Sequence, residues 1–205
     1  MKIICIGRNY ADHISELNNE RPTEPVIFMK PDSSILPNKN PFVIPAFSND
    51  IHHEVEILVK ICKVGKHIDA KFAHKYYEEI GLGIDFTARD VQSKLKEKGL
   101  PWEKAKAWDN SAIIGDWKPF NAEANADGGE ILFSLTKNGQ KAQSGTTQDM
   151  IYSFETLLEH ISGYFTLSPG DLVYTGTPAG VGPCLPGDTL AGFLGDEKLF
   201  ELAIK

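Results

Sequence analysis

The stretch His52-His-Glu-Val-Glu-Ile-Leu-Val-Lys-Ile61 joins two acidic residues to a run of branched apolar ones. Residues 54–61 have the composition of a β-strand, in which successive side chains point to opposite faces of the sheet. Alternation places Glu54, Glu56 and Leu58 on one face and the intervening residues on the other. The sequence therefore predicts a strand that begins with two carboxylates on the same side and continues into the core.

Similar strand patterns occur on both sides of this stretch, at 2–6, 26–29, 81–86, 130–137, 171–175, 189–193 and 199–204. Helical patterns cover 72–79, 88–98 with Thr87 as the N-cap, and a segment from Thr147 to Gly163. Pro-Gly-Asp occurs at 169–171 and 186–188 and predicts a type II turn before each following strand. Strands outnumber helices and do not alternate with them, so we expect a mainly β fold with few helices (α+β) and an antiparallel or mixed sheet. No linker divides the chain, which predicts a single domain over 1–205.

The composition narrows the possible functions. The 205 residues include 21 basic and 28 acidic ones, a formal net charge of −7, which argues against binding nucleic acid through general positive charge. The three cysteines are far apart and form no CxxC pair, so neither a disulfide framework nor a structural zinc site is predicted. No apolar run approaches the roughly 20 residues of a membrane span, and the N-terminus is unlike a signal peptide. We expect a cytoplasmic protein with no membrane partner.

The two glutamates of residues 52–61 are candidate metal ligands. Side-by-side carboxylates on a strand that enters a core are unfavourable unless a cation neutralises them. Residues 52–56 alone fit a solvated strand end even better than a metal site, because charged residues are mostly exposed. Asp85 changes this balance, since it ends another apolar strand just before a helix start. Three carboxylates without a cysteine suit a hard ion such as Mg²⁺ or Mn²⁺.

Other polar residues are weaker candidates. His13 and Glu16 are three apart and would share one face of a helical turn, as an acid–base pair or as a chance pair on the surface. Lys30 and Lys106 are flanked by apolar residues, which is compatible with a buried ammonium group or with ordinary solvated lysines. The glycine-rich loop at 175–182 either presents backbone N–H groups and Thr177 to a carboxylate or is only a turn between strands.

Taken together, these segments resemble the fumarylacetoacetate hydrolase family, in particular its small single-domain acylpyruvase and oxaloacetate decarboxylase members. The similar stretches, in the family's order, are Gly7-Arg-Asn-Tyr-Ala-Asp-His13, Glu24-Pro-Val-Ile-Phe-Met-Lys-Pro31, His52-His-Glu-Val-Glu56, Gly83-Ile-Asp-Phe-Thr-Ala-Arg-Asp-Val-Gln92, Lys98-Gly-Leu-Pro-Trp102, Ala105-Lys-Ala-Trp-Asp109, Ser144-Gly-Thr-Thr147 and Thr175-Gly-Thr-Pro-Ala-Gly-Val-Gly182. The resemblance implies a β-roll or β-sandwich-like catalytic domain of that family's C-terminal type, which forms a homodimer.

The resemblance also implies roles for individual residues. It makes Glu54, Glu56 and Asp85 the ligands of Mg²⁺ or Mn²⁺. It places Lys106 beside the metal as the cation that stabilises an enolate, and makes His13 and Glu16 the pair that activates water. The residues that would line the substrate pocket are Arg89, Gln92, Lys30 and Thr177.

The predicted substrate is a small 2-oxo acid. With both His13 and Glu16 present, the sequence favours hydrolysis of the C–C bond in acylpyruvates and related 2,4-dioxo acids through a metal-stabilised pyruvate enolate. Two alternatives remain open: decarboxylation of oxaloacetate, and isomerisation of a 2-hydroxyhepta-2,4-diene-1,7-dioate. A non-catalytic β-roll binding module is a further alternative, but it would require a broken set of site residues, and all are present.

Overall fold

The computed structural model describes residues 1–16, 20–37, 40–121 and 129–205. In chain order, the strands in these ranges are β1 (Ile3–Gly7), β2 (Val26–Lys30), β3 (Ile51–His53), β4 (Val55–Ile61), β5 (Tyr77–Asp85), β6 (Thr87–Ala88), β7 (Ala112–Ile114), β8 (Lys118–Pro119), β9 (Leu132–Lys137), β10 (Gln140–Thr146), β11 (Leu172–Tyr174), β12 (Gly182–Pro183), β13 (Thr189–Leu194) and β14 (Glu197–Ala203). The α-helices are α1 (Ala11–Glu16), α2 (Arg89–Glu97), α3 (Glu103–Lys106) and α4 (Phe154–Tyr164). None of these helices is long and apolar enough to cross a membrane.

Strand β4 lies inside the largest sheet, whose strand order is β2-β1-β11-β4-β5-β7, with β8 paired to another part of β5. Strands β1 and β11 run parallel, whereas β4 is antiparallel to both of its neighbours. A second sheet has the order β10-β9-β13-β14, and a small third sheet has the order β12-β3-β6. The predicted fold class, mainly β with few helices and mixed sheets, is confirmed.

The alternation predicted for residues 54–61 is present in the structure. Val55, Ile57 and Val59 are buried in the main hydrophobic core, whereas Leu58 packs in a smaller cluster on the opposite face of the sheet. Glu56 lies two residues before Leu58 on that same face. The strand is interrupted at Glu54, because β3 ends at residue 53 and β4 begins at residue 55.

The pairing of β4 with β5 brings the acidic residues together. The register sets Glu56 opposite Gly83, and a Cβ atom at Gly83 would collide with the backbone oxygen of Ile113 on β7. Glycine therefore allows β7 to approach closely. At the end of β5 the N–H of Asp85 donates to the carbonyl oxygen of Glu54 at 2.9 Å, which holds Asp85 beside the start of β4.

The helix predicted at 88–98 exists, but its N-cap was predicted wrongly. Helix α2 has Ala88 as its N-cap, while Thr87 belongs to β6. The hydroxyl of Thr87 accepts a hydrogen bond from Lys106 instead of capping the helix. Asp90, three residues after Thr87 as in a capping box, accepts from the hydroxyl of Ser48 at 2.6 Å. Contacts with distant residues thus replace the local cap.

Two other helix boundaries also differ from the prediction. Residues Thr147–Asp149 form one 3-10 turn, and α4 begins later, with Ser153 as the N-cap that accepts from the N–H of Thr156. The segment predicted as helix at 72–79 is a 3-10 helix only to Tyr76, after which β5 begins. Pairing of Tyr77 with Ile61 draws this segment into the sheet, so tertiary pairing overrides the local pattern.

Both Pro-Gly-Asp turns form as predicted. The N–H of Asp171 donates to the carbonyl of Ser168 at 3.0 Å, and Asp188 makes the same bond to Leu185. The glycine of each turn has a positive φ, 87° at Gly170 and 95° at Gly187, as a type II turn requires. The first turn starts β11, which leads directly into the loop at 175–182.

Candidate active site

Three buried carboxylates lie at the adjoining ends of β4 and β5. Glu54, Glu56 and Asp85 are exposed by only 5%, 1% and 0%, and one oxygen of each lies within 4.8 Å of the others. Glu56 is oriented by the N–H of Gly176, which donates to its Oε2 at 2.7 Å. The solvated strand end considered from the sequence is therefore wrong.

Lys106 bridges two of these carboxylates. Helix α3 carries it into the site, where its Nζ donates to Glu54 Oε2 at 2.7 Å, to Asp85 Oδ2 at 2.6 Å and to Thr87 Oγ1 at 2.6 Å. Only 3% of Lys106 is exposed. The ammonium group thus has three short contacts and lies between the start of β4 and the end of β5.

Two more cations contact the acidic residues. Lys30 is buried, with its Nζ 2.7 Å from Asp85 Oδ1 and 3.0 Å from Ser111 Oγ. Arg89 pairs with Glu54 Oε1 and donates to Gln92 Oε1 at 2.7 Å. Three cations therefore pair with two of the three carboxylates, Glu54 and Asp85, which allows these paired charges to be buried.

The carboxylates nevertheless differ in their electrostatics. Burial raises the pKa of Glu54, but Lys106 and Arg89 lower it by more, and its pKa lies well below the usual value. Burial and the charges of Asp85 and Glu54 hold the pKa of Glu56 well above its usual value. For Lys106, burial lowers the pKa, but the neighbouring carboxylates raise the pKa by more than burial lowers it, so the group stays protonated.

This donor set fits a divalent cation. The three residues offer only carboxylate oxygens, which suit Mg²⁺ or Mn²⁺. Glu56 makes no ion pair with a lysine or arginine among the described residues, and its raised pKa shows that its charge is incompletely compensated. A cation shared by the three carboxylates would supply the missing compensation.

His13 and Glu16 form a pair at the edge of the same site. Helix α1 sets His13 Nδ1 at 3.3 Å from Glu16 Oε2, and the N–H of Gly180 donates to Glu16 Oε1 at 3.1 Å. Burial lowers the pKa of His13 by more than Glu54 and Glu16 raise it. Because Glu16 accepts the proton of Nδ1, Nε2 of the neutral ring is free to act as a base.

The glycine-rich loop presents backbone N–H groups to carboxylates, as one of the two interpretations predicts. These carboxylates are the protein's own, Glu56 and Glu16. The hydroxyl of Thr177 is also engaged within the protein, since it donates to the carbonyl of Val55 at 2.8 Å and accepts from Gln143 Nε2 at 2.9 Å. Thr177 therefore orders the loop against β4.

A small cavity opens over the acidic residues. The residues that line it are Ile6, Gly7, Arg8, His13, Phe28, Glu54, Glu56, Asp85, Arg89, Gln92, Lys96, Trp102, Lys106 and Thr177. Eight of the ten site residues proposed from the sequence are among them. Of the other two, Glu16 lies behind His13 and Lys30 lies behind Asp85.

Sequence reasoning missed three polar residues at or beside this cavity. Arg8 stands inside the Gly7-Arg-Asn-Tyr motif and Lys96 lies one helical turn after Gln92, so their positions were visible in the sequence. Gln143 had no such indication. Its Oε1 accepts from His53 and from the N–H of Val55. The position of Gln143 depends on the packing of β10 beside the glycine-rich loop.

The fold and this site define a class of enzyme: a mainly β protein in which buried carboxylates, a lysine and a histidine share one cavity. Its sequence agrees, since the profile described as fumarylacetoacetate (FAA) hydrolase C-terminal matches residues 2–205. The chain belongs to this family. The family expected from the sequence motifs is thereby confirmed.

Several relatives carry names that describe their reactions. The chain is 43% identical over 189 residues to oxaloacetate tautomerase YcgM of Escherichia coli, covering 92% of this chain and 86% of the relative. It is 44% identical over 190 residues to a mitochondrial oxaloacetate decarboxylase of Dictyostelium discoideum, with the same coverage. The crystal structure of fumarylpyruvate hydrolase from Pseudomonas aeruginosa, in complex with Mn²⁺ and pyruvate, superposes with a TM-score of 0.91 at 32% identity, covering 100% of this chain and 89% of that one.

Proposed function

We propose that this protein is a divalent-metal-dependent enzyme that interconverts the keto and enol forms of oxaloacetate. The observation that carries the proposal is the placement of a neutral histidine and a protonated lysine on one cavity, beside three carboxylates. Such a pair can remove a proton from carbon and stabilise the resulting oxyanion. The names of the relatives at 43% and 44% identity support oxaloacetate as the substrate.

The proposed metal site consists of Glu54, Glu56 and Asp85. A bound Mg²⁺ or Mn²⁺ would supply a Lewis acid for the adjacent carboxylate and keto oxygens of a 2-oxo acid. Lys30 and Arg89 hold two of these carboxylates in place through their ion pairs. Arg89, Gln92, Lys30 and Thr177 remain proposed pocket residues, with Thr177 and Lys30 acting through the loop and through Asp85.

Proton transfer is assigned to His13. Its Nε2 accepts the proton from C3 of the keto form, the C–H electron pair forms the C2–C3 double bond, and the C2–O π electrons move onto oxygen. Lys106 stabilises the negative oxygen, and return of the proton to oxygen gives the enol. Glu16, held by Gly180, keeps Nδ1 protonated throughout. Loss of CO₂ from oxaloacetate passes through an enolate that the same lysine would stabilise.

A second candidate reaction is the hydrolysis of acylpyruvates. The hydrogen-bonded pair of His13 and Glu16 favours it, because a histidine oriented by a carboxylate also activates water. In that reaction His13 takes a proton from water, the hydroxide attacks the far carbonyl, and C–C cleavage leaves a pyruvate enolate beside Lys106. Isomerisation of an unsaturated 2-hydroxy dioate is a further alternative that needs proton transfer alone.

An assay panel tests these proposals. The purified protein with Mg²⁺ or Mn²⁺ is given oxaloacetate, acetylpyruvate and 2-hydroxyhepta-2,4-diene-1,7-dioate, and enol absorbance and pyruvate formation are followed. We expect the fastest turnover to be oxaloacetate enol–keto conversion, lost in EDTA and in His13→Gln. His160→Gln is the matched control, since that histidine lies on α4 and contacts Tyr164 outside the cavity. No metal-dependent turnover of any compound would refute the enzyme assignment.

We further propose that two copies of this chain associate as a homodimer. Strand β2 is an edge strand of the largest sheet, and in the described residues it forms a ladder only with β1. An apolar groove of about 390 Å³ runs beside it, lined by residues that include Val26, Phe28, Leu100 and Trp102. Light scattering after gel filtration should give the mass of two chains, and the mass of one chain would refute the proposal.

A further inference from the structure

Arg8 and Lys96 are two further cations of the cavity. Arg8 and Lys96 both line it, yet neither forms an ion pair with a carboxylate in the described residues. The acidic residues of the cavity are already engaged, Glu54 and Asp85 by lysine or arginine and Glu56 by the N–H of Gly176. Within the described residues, the protein therefore places two half-buried positive charges beside the three carboxylates without a carboxylate partner for either.

Arg8 is held in an unusual conformation. It follows the last residue of β1 with φ of 62°, in the left-handed region that side-chain-bearing residues rarely adopt. Its Nε is buried and has no hydrogen-bond partner among the described residues, and its NH1 makes only a long 3.5 Å contact with the carbonyl of Glu20. Strained, unsatisfied polar groups are concentrated at ligand sites.

Lys96 extends from the last turn of α2 towards the same cavity. Its Nζ lies 5.5 Å from the centre of the Trp102 ring, so the aromatic face rather than a carboxylate accompanies the charge. Burial, together with the charges of Arg8 and Arg89, lowers the pKa of Lys96 to about 8. An anion placed among these cations would compensate the unfavourable positive charge.

We propose that Arg8 and Lys96 bind a second carboxylate of the substrate, so that the site selects 2-oxo diacids over 2-oxo monoacids of the same length. The inference rests on the proposed function only in placing the 2-oxo acid end of the substrate at the three carboxylates and their metal. Arginine and lysine provide charge-assisted hydrogen bonds to a carboxylate. A methyl group in the same position would leave both cations unpaired.

Two matched pairs of compounds test the proposal: oxaloacetate with 2-oxobutanoate, and 2-oxoglutarate with 2-oxopentanoate. Within each pair only the terminal carboxylate differs. Dissociation constants are measured with the Mg²⁺-loaded protein by stopped-flow tryptophan fluorescence, because Trp102 lines the cavity and binding is observed before turnover. In at least one pair we expect the diacid to bind about tenfold or more tightly than the monoacid, as one charged hydrogen bond provides.

Variants connect this preference to the two residues. The diacid-to-monoacid ratio is the affinity for the diacid divided by the affinity for the monoacid. Arg8→Gln and Lys96→Gln should each reduce this ratio to below about threefold while changing the affinity for the monoacid little. Arg8→Lys and Lys96→Arg, which keep the charge, should retain most of the ratio. Lys94→Gln is the matched control, because that exposed lysine of α2 does not line the cavity.

The outcomes separate this inference from the proposed reaction. A ratio near one in both pairs of the parent protein, no binding of any of the four compounds, or a ratio unchanged in both glutamine variants would overturn it, even if oxaloacetate is turned over. A diacid preference that both glutamine variants lose would support it, even if no turnover is found. Melting temperatures of the variants identify any that are unfolded. If a glutamine variant is unfolded, the charge-retaining variants decide, and a reduced ratio in Arg8→Lys and Lys96→Arg would count against the proposal.

Discussion

Replacing Lys106 by methionine should destabilise the metal-free protein and make it dependent on divalent cations for its stability. The ammonium group is buried and lies within 2.7 Å of both Glu54 and Asp85. Methionine has a similar length but no charge, so the two carboxylates would lose a shared partner and the acidic cluster would carry excess negative charge. Removing one partner of a buried ion pair costs about 3–5 kcal/mol.

This free energy corresponds to a large change in melting temperature. For a chain of this size each kcal/mol shifts the midpoint by about 2–4 °C, so calorimetry in EDTA should show Lys106→Met melting about 6–20 °C below the parent. Adding Mg²⁺ should raise the midpoint of the variant by more than that of the parent, because the ion replaces the lost positive charge and binds only the folded chain. Enzyme activity should stay low in Mg²⁺, since in the proposed reaction the lysine also stabilises the enolate.

Lys60→Met is the matched control for this experiment. Lys60 pairs with Glu79 at 2.6 Å, but both side chains are more than a third exposed, and such surface pairs contribute about 0–1 kcal/mol. Its midpoint should change little, with or without Mg²⁺. Equal melting of Lys106→Met and the parent in EDTA, or a variant whose midpoint does not respond to Mg²⁺, would refute the assigned role of Lys106 in the acidic cluster.

Three further predictions concern the base, the metal ligands and the loop. His13→Gln should lower kcat/KM about 10²–10⁴-fold with little change in melting temperature. In the parent protein the rate should fall only as pH drops below the ordinary histidine pKa of 6.5, because burial lowers the pKa of His13. A rate that already falls above that pH would contradict the assignment of His13 as the base. Asp85→Asn should remove both activity and the Mg²⁺-induced rise in melting temperature, and a variant that still melts higher in Mg²⁺ would exclude Asp85 as a ligand. Gly176→Ala should destabilise the protein by about 1–3 kcal/mol, because φ is 105° and the new Cβ would lie 2.7 Å from Asn9 Cβ. An unchanged melting temperature and an unchanged Mg²⁺ affinity would show that the hydrogen bond from Gly176 to Glu56 is dispensable.

Much of the candidate site was predictable because two of its proposed metal ligands, Glu56 and Asp85, lie on regular strands. The period of two at residues 54–61 is a local property, and it placed Glu56 on the face of Leu58 before any contact was known. The position of Asp85 at the end of an apolar segment likewise indicated a strand terminus, which β5 confirms. The family motifs then ordered these pieces along the chain. The single domain over 1–205 and the homodimer stay predictions.

The local sequence did not predict the charge network. The bridging by Lys106 depends on α3 reaching the gap between β4 and β5, and the role of Thr87 as its acceptor depends on the same packing. No periodic pattern encodes a distance between residues 21 or 52 positions apart. The helix predicted from residue 147 shows the same limit, because the local pattern identified the apolar face of α4 but not its start at Phe154.

The sequence by itself determined the mainly β fold, the faces of the central strand and the chemical type of the ligands, because composition and period act over a few neighbouring residues. Only the tertiary structure decided which charges are paired. In the part of the chain that the structure describes, it left Arg8 and Lys96 without carboxylates and gave three cations to the acidic cluster. It also buried His13, which lowers the pKa of that histidine. Charge pairing and pKa depend on distance and burial, and these are set by how the sheets pack.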